Sequence, residues 1–337
     1  MAQASNIAQL AHVEMLSPRP QDSVDFFTDI LGMQVSGQSG QSVYLRGYQD
    51  PYHHSLVITE SALPGMDHVA WRTSSAEALE DVAERAENLG LGIEWSESSV
   101  GQGKTFVFTN PEGHRHEAVW ELEPAPIAPG EESVMPCAVQ KRPLQGVPVR
   151  RIDHINLLCR DVPANKRFYM NELGFNCYER IVMDGQTEDF GSWLSVTAVP
   201  HELALMTDLT GAEARFHHIA FWFGIDQHLY DVAELMRDRE VPLEAGPSKH
   251  GVTQSTFLYC FEPGGNRVEL FGGYGYLILE PDWKERTWTE DLLPVGGSMY
   301  GVDLPETYYA YATPPVEIKD EHLSGVYQHA PASLPAS

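Results

Sequence analysis

The sequence predicts an α+β chain of two tandem copies of one module, each copy being two βαβββ-like units curled around a cleft. The observations behind this are an internal repeat, short β-forming runs bounded by turn residues, and stretches of helical apolar spacing that follow certain strands. Ala11-His12-Val13 and Phe26-Phe27 before Leu31-Gly32-Met33 recur as Asp153-His154-Ile155 and Phe168-Tyr169 before Leu173-Gly174-Phe175, at a constant offset of 142 residues. Farther on, His54 parallels His201, His68 parallels His218, and Asn110-Pro111-Glu112-Gly113 before Glu117 parallels Glu262-Pro263-Gly264-Gly265 before Glu269, with the offset drifting only through loop lengths. Each copy therefore spans roughly 110–130 residues, an ordinary domain size.

The boundaries follow from composition. Residues 1–125 form the first module, 126–148 a linker, 149–281 the second module and 282–337 a tail rich in Pro, Tyr and Trp, which suits either a lid over the cleft or a subunit contact. In the second module a strand is expected over 152–158, then a helix over 164–173 that Pro163 opens and Gly174 closes, then strands over 175–183, 191–196 and 202–207. The second unit begins with an aromatic-rich strand over 216–223 and continues with a helix over 227–239, where Leu229, Val232, Ala233, Leu235 and Met236 have helical spacing. A loop at Gly246-Pro247 then leads through Lys249-His250-Gly251 into a hairpin of Thr256–Phe261 and Arg267–Phe271, turned by Glu262-Pro263-Gly264-Gly265-Asn266.

Composition excludes several classes of function. Of 337 residues, 42% are hydrophobic and 21% charged, which is globular composition with room for two domains. A net charge of -26 repels phosphate backbones and anionic membrane surfaces, so neither nucleic acid nor membrane is an expected partner. The N-terminus lacks the basic start and apolar run of a secretory signal, and the reading is a soluble cytoplasmic protein. Cys137, Cys159, Cys177 and Cys260 have no metal or redox spacing and read as reduced thiols.

Strand alternation places the chemistry. Pairing counted outward from the hairpin turn sets Tyr259 opposite Glu269 on one sheet face, and His250 stands where an imidazole can reach the same wall. Along 152–158, His154 and Asn156 share a face. His217 and His218 are adjacent and should point oppositely, and the repeat match to His68 selects His218 for the cleft. Two neutral imidazoles and a carboxylate from three strands, His154, His218 and Glu269, are the donor set of a facial triad, which points to non-haem Fe(II) oxygen chemistry. Taken singly, each residue has an ordinary structural role; the combination is what carries the reading.

The run from His250-Gly251 through Leu258-Tyr259 and Glu262-Pro263 to Gly265 and Glu269 resembles the signature of type I extradiol ring-cleaving dioxygenases, the catechol 2,3-dioxygenases of the vicinal oxygen chelate superfamily. Phe216-His217-His218-Ile219-Ala220-Phe221 and Asp153-His154-Ile155-Asn156 resemble the family's other two ligand strands, and the resemblance extends from about Ala11 to Tyr276. It implies two vicinal-oxygen-chelate modules, with Fe(II), rarely Mn(II), held by His154, His218 and Glu269. It also implies an acid/base role for His201, hydrogen-bond donation by His250 and Tyr259, and pocket positions for Asn156 and Trp193. The implied reaction is extradiol cleavage of a catechol by O2 to a muconic semialdehyde, by a homo-oligomer, a tetramer in the family. Relatives that cleave dihydroxyphenylacetate place an arginine where this chain has Ala245, and an Arg-Arg pair near the C-terminus where this chain has Arg286 alone, which could still reach the cleft. Catechol or an alkyl- or halo-catechol is therefore the expected substrate. A metal-dependent isomerase or transferase, or a non-catalytic binding protein of the same superfamily, is the alternative. The first module keeps His12, His68 and Glu117 at the three repeat-matched positions, but has Val107 where Tyr259 stands and Ser98 near the place of His250. These three read as a relic of duplication bonded internally, with a second metal as the competing reading.

Overall fold

A computed structural model describes residues 5–319. The first module is one sheet of β1 (Ile7–Ser17), β2 (Gln34–Ser39), β3 (Ser42–Arg46), β4 (Leu56–Glu60), β5 (Gly65–Thr73), β6 (Gly92–Ser96), β7 (Thr105–Thr109) and β8 (Arg115–Val119), in the order β2-β3-β4-β1-β5-β8-β7-β6. The second is built of β9 (Arg151–Cys159), β10 (Asn176–Val182), β11 (Asp189–Ser195), β12 (Leu203–Thr207), β13 (Arg215–Trp222), β14 (Leu243–Lys249), β15 (Thr256–Phe261), β16 (Arg267–Phe271) and β17 (Arg286–Thr289). Its order, β14-β15-β16-β13-β9-β12-β11-β10-β17, repeats the first sheet and adds one edge strand. In both sheets the opening strands of the two units pair antiparallel at the centre, β1 with β5 and β9 with β13, and each is flanked by a parallel partner. The two half-modules are thus related by an approximate twofold axis, and the central strands carry the repeat-matched pairs His12/His154 and His68/His218.

The helices form where the sequence places apolar stripes. The first module contributes α1 (Pro20–Asp25) and α2 (Ala76–Asn88); Ser75 caps α2 by accepting from the Ala78 N–H at 3.1 Å, and Ala78, Leu79, Val82, Ala83 and Ala86 turn inward. The helix expected over 164–173 starts two residues earlier, as α3 (Val162–Phe168), because Asp161 accepts from Ala164 N–H at 2.8 Å. It widens into a π turn, Tyr169–Leu173, and stops at Gly174, whose φ of 83° needs glycine. In α4 (Gln227–Asp238), Leu229, Val232 and Met236 face the sheet. Among the described residues, no helix is long and apolar enough to cross a membrane.

One hydrophobic core runs through both modules. Phe27 of the first module stacks edge-on to Phe221 of the second at 5.8 Å, and Trp71 meets Phe175 at 5.1 Å. Trp71 donates its indole N–H to His116 Nδ1 at 3.0 Å, and the other side of that ring meets the Tyr169 hydroxyl at 2.9 Å. Each fully buried aromatic contributes about 1.5–3 kcal/mol, so the modules stabilise one another.

Two features depart from the sequence reading, and the tail takes a course that the sequence left open. Gly246-Pro247, expected in a loop, lies within edge strand β14, where a register break between Ala245 and Ser248 accommodates a residue that cannot donate to the ladder. Arg286, expected to be able to reach the cleft, sits on β17 against Trp283, with 4.9 Å from guanidinium to ring centroid. The tail, for which lid and subunit contact were both open, crosses the mouth of the second sheet as α5 (Leu293–Gly297) and α6 (Glu306–Ala310); its residues 320–337 lie outside the described ones.

Two buried arginines latch this tail. Arg267 pairs with Glu244 at 2.6 and 2.8 Å and donates to the Thr307 and Tyr311 carbonyls, each at 2.8 Å. Arg215 pairs with Asp208 at 2.6 and 2.7 Å and reaches the Ala310 carbonyl at 3.4 Å, while Thr313 and Phe216 exchange two backbone bonds. Replacing Arg267 by Met leaves Glu244 buried without its partner, and a loss of about 3–5 kcal/mol in urea unfolding is expected. Proteolysis within 306–313 should accelerate in the same variant, and a stability unchanged within about 0.5 kcal/mol would show that the latch is not Arg267.

Candidate metal centre and cavity

The concave face of the second sheet encloses a cavity of about 340 Å³, within the size range of small-molecule sites. His154 and Asn156 enter it from β9, Trp193 from β11, His201 from the approach to β12, His218 from β13, Tyr259 from β15 and Glu269 from β16, and His250 closes one side. The hairpin has the expected register, with Tyr259 directly opposite Glu269. Its turn is fixed by the buried Glu262 carboxylate, which accepts from the Gly264 and Asn266 N–H groups at 2.7 and 2.8 Å and from Ser23 of the first module at 2.5 Å. Every sequence-predicted site residue is therefore brought to one cavity wall.

The centre of the wall is a buried carboxylate between two imidazoles. Glu269 Oε2 lies 2.8 Å from His154 Nε2 and 3.1 Å from His218 Nε2, and one donor atom from each of the three residues falls within 4.8 Å of the others. Burial opposes charge on both partners, yet the Glu269 and Asp153 carboxylates together outweigh it and push His154 up to about 9, while His154 holds Glu269 well below the usual carboxylate range. His218 behaves differently: burial brings it down to about 4.

Neighbouring groups assign the tautomers. The Asp153 carboxylate can only accept, so the 2.9 Å contact puts a proton on His154 Nδ1 and turns Nε2 to the centre. Tyr308 offers a carbonyl to His217 Nε2 at 2.6 Å, so that nitrogen is the protonated one. His217 is held neutral by burial and by Arg267, so its Nδ1 is an acceptor and must receive the proton of His218 Nδ1, 2.6 Å away. His218 Nε2 is then a bare lone pair aimed near a carboxylate oxygen, and it is a buried nitrogen with no hydrogen-bond partner. A divalent cation, taking the place of the proton that His154 Nε2 shares with Glu269 at 2.8 Å, satisfies this arrangement: two imidazole nitrogens, each oriented by a neighbour, and one carboxylate are a metal-ligand set.

The His217 contact corrects the expectation that the adjacent histidines point oppositely. A β-bulge between Phe216 and His218 breaks the alternation, so the two rings come to 4.9 Å instead of facing away from each other. Only the pairing register reveals the bulge, so the sequence offered no signal for His217.

Around the triad stand proton-handling groups. The His201 ring lies 4.0 Å from that of His154, and burial together with its neighbour's charge holds it neutral, well below the usual histidine value. His250 donates Nδ1–H to the Gly297 carbonyl at 2.6 Å, which leaves Nε2 facing the Tyr259 hydroxyl at 3.1 Å. Burial and Glu269 push Tyr259 well above its usual range, so it stays a phenol and a donor. Asn156 Oδ1 is buried without a partner on the same wall.

The sequence model of the Glyoxalase/Bleomycin resistance protein/Dioxygenase superfamily matches residues 9–118 and 151–270. The chain is 44% identical over 310 residues to a metapyrocatechase of Geobacillus stearothermophilus, covering 92% of this chain and 94% of the relative. It is 34% identical over 304 residues to a manganese-dependent 2,3-dihydroxybiphenyl 1,2-dioxygenase of Geobacillus genomosp. 3, with 89% and 96% covered. Among solved structures, the homoprotocatechuate 2,3-dioxygenase of Brevibacterium fuscum superposes with a TM-score of 0.80 at 24% identity, over 93% of this chain and 94% of that one.

The tautomer chain makes His217 testable. His217→Phe keeps a ring in place but leaves His218 Nδ1–H without an acceptor, and metal affinity at this centre should fall about 10–100-fold in a chelator-competition titration. Unchanged affinity would show that His217 does not orient His218.

Proposed function

The chain belongs to the Glyoxalase/Bleomycin resistance protein/Dioxygenase superfamily, and from that premise we infer that it is an extradiol dioxygenase, cleaving catechols with O2 in the manner of a metapyrocatechase. The observation that carries this reading is the unpartnered His218 Nε2 beside Glu269 and His154 in a cavity that also holds His201, His250 and Tyr259. His154, His218 and Glu269 would hold the metal. Fe(II) is the ion proposed; the manganese-dependent relative makes Mn(II) the natural comparison. Such an ion supplies Lewis acidity that favours the deprotonated diol and a redox centre through which ring electrons reach oxygen.

The protein's own groups then have distinct tasks. His201, neutral and beside His154, takes a proton from the diol and returns it to oxygen as the O–O bond breaks. Tyr259 turns its one hydroxyl hydrogen from His250 Nε2, 3.1 Å away, to a substrate oxygen, while Gly297 holds the His250 ring in place beside it. Asn156 offers its free carbonyl to a remaining O–H, and Trp193 forms part of the wall against which the ring lies. The tail excludes water by covering the mouth, with Leu304 and Tyr309 in the lining.

Charge narrows the substrate. Among the described residues the lining carries the carboxylates Glu269, Glu290, Asp303 and Glu306 and no lysine or arginine. Ala245 supplies no cation either, and Arg286 is not in the wall. Catechol and its alkyl or halo derivatives fit such a site, and a carboxylate-bearing catechol would enter against its charge. A cytoplasmic setting agrees with four cysteines that are all free thiols. A homotetramer is the assembly proposed, supported by apolar side chains such as Leu279, Tyr300 and Val302 that this chain leaves exposed.

His201→Asn should lower kcat for catechol by about 10²–10⁴ with little change in metal content. Turnover indifferent to that change would remove His201 from the mechanism. The kcat/KM for catechol and 4-methylcatechol should exceed that for 3,4-dihydroxyphenylacetate by at least about tenfold, equivalent to about 1.4 kcal/mol of uncompensated charge, and the reverse ranking would contradict the acidic-lining argument.

A further inference from the structure

The first module repeats the metal centre in detail. His12 lies on β1, His68 on β5 and Glu117 on β8, the strands that correspond to β9, β13 and β16. His12 Nε2 is 3.0 Å from His68 Nε2, and His68 Nε2 is 3.6 Å from Glu117 Oε2, with donor atoms of all three within 4.8 Å of one another. Two donors each about 2.1 Å from one ion, at angles between about 90° and 120°, stand about 3.0–3.6 Å apart. The observed spacings fit that geometry, and 3.6 Å is too long for a hydrogen bond.

The surroundings are arranged for the same purpose. His68 gives its Nδ1–H to the Asp67 carboxylate at 2.9 Å, which turns Nε2 to the centre as Asp153 does for His154. Gln102 donates its amide N–H to Glu117 Oε2 at 2.8 Å, and Gln102 Oε1, on a side chain only 6% exposed, has no partner. The His54 ring lies 4.5 Å from that of His12, tilted by 53°, in the place His201 holds beside His154. Burying these imidazoles and this amide without a common partner is costly, and an apolar replacement would have relieved it.

We propose that His12, His68 and Glu117 form a second binding site for a divalent first-row transition metal, so that the full chain binds two ions. The site is structural. Val107, buried, faces Glu117 in the register where Tyr259 faces Glu269, so the phenol that this position supplies in the second module is missing. An ion here ties together β1, β5 and β8 at the middle of the first sheet. The sequence reading of these residues as an internally bonded relic accounts for the His12 contact with His68, but not for the 3.6 Å gap to Glu117 or the unpartnered Gln102 oxygen.

The test is metal stoichiometry in the full-length chain, which is independent of turnover. Wild-type protein loaded anaerobically with Co(II) and desalted should carry two ions per chain; the double variant His154→Ala with Glu269→Gln should keep one, with the visible absorption of a bound Co(II). The double variant His12→Ala with His68→Ala should also keep one and still cleave catechol once loaded with Fe(II). One ion in wild type and none in the His154/Glu269 variant would overturn the proposal. If the His12/His68 variant does not fold, the His154/Glu269 variant alone decides: one Co(II) supports the site and none refutes it.

Discussion

The second module is organised around a single electrostatic constraint: the buried Glu269 carboxylate faces two imidazole nitrogens whose other nitrogens are already committed. Asp153 fixes His154, and the His217–Tyr308 contact fixes His218. Neither imidazole can turn away to satisfy itself, so both Nε2 atoms and the carboxylate converge on one point, where a proton bridges His154 and Glu269 until a metal displaces it. In a low-dielectric interior this would be unfavourable without a cation, and with one it becomes a preorganised ligand set. The remaining polar groups of the cavity, His201, His250 and Tyr259, surround that point without competing for it.

The duplicated fold makes such a constraint affordable. Pairing the opening strands of the two units at the sheet centre places three donors on neighbouring strands at fixed spacing, and the common core holds both sheets rigid. The tail adds what the sheet lacks. Gly297 and Tyr308, both tail residues, accept the protons that set His250 and His217, so the docked tail fixes the tautomers of the site. Arg215 and Arg267 couple that tail to β13 and β16, the strands that bear His218 and Glu269.

How much of this is legible in the sequence depends on the range of the interaction. The repeat, the succession of strands and helices along the chain and the Tyr259–Glu269 pairing are local or periodic, and residues such as Glu262, Gly264 and Gly265 encode the turn that sets the register. The fold class and the His154, His218, Glu269 constellation follow from those patterns. The bulge at Phe216–His218 is a property of strand pairing, so strict alternation misplaces His217. Edge strand β14 is hidden because Gly246-Pro247 carries the composition of a loop. The tail is irregular, and its docking depends on Arg215 and Arg267, whose partners lie 40 to 97 residues away. A charged residue in a strand gives no local sign that it will be buried as a latch.

The most direct test of the central claim is oxygen uptake by metal-depleted protein mixed with catechol before and after anaerobic reconstitution with Fe(II), in parallel with Glu269→Gln. Uptake stoichiometric with a yellow ring-cleaved product, present only after reconstitution and abolished in Glu269→Gln, is the predicted result. Ring cleavage that persists without added metal, or that survives loss of the Glu269 carboxylate, would contradict the account.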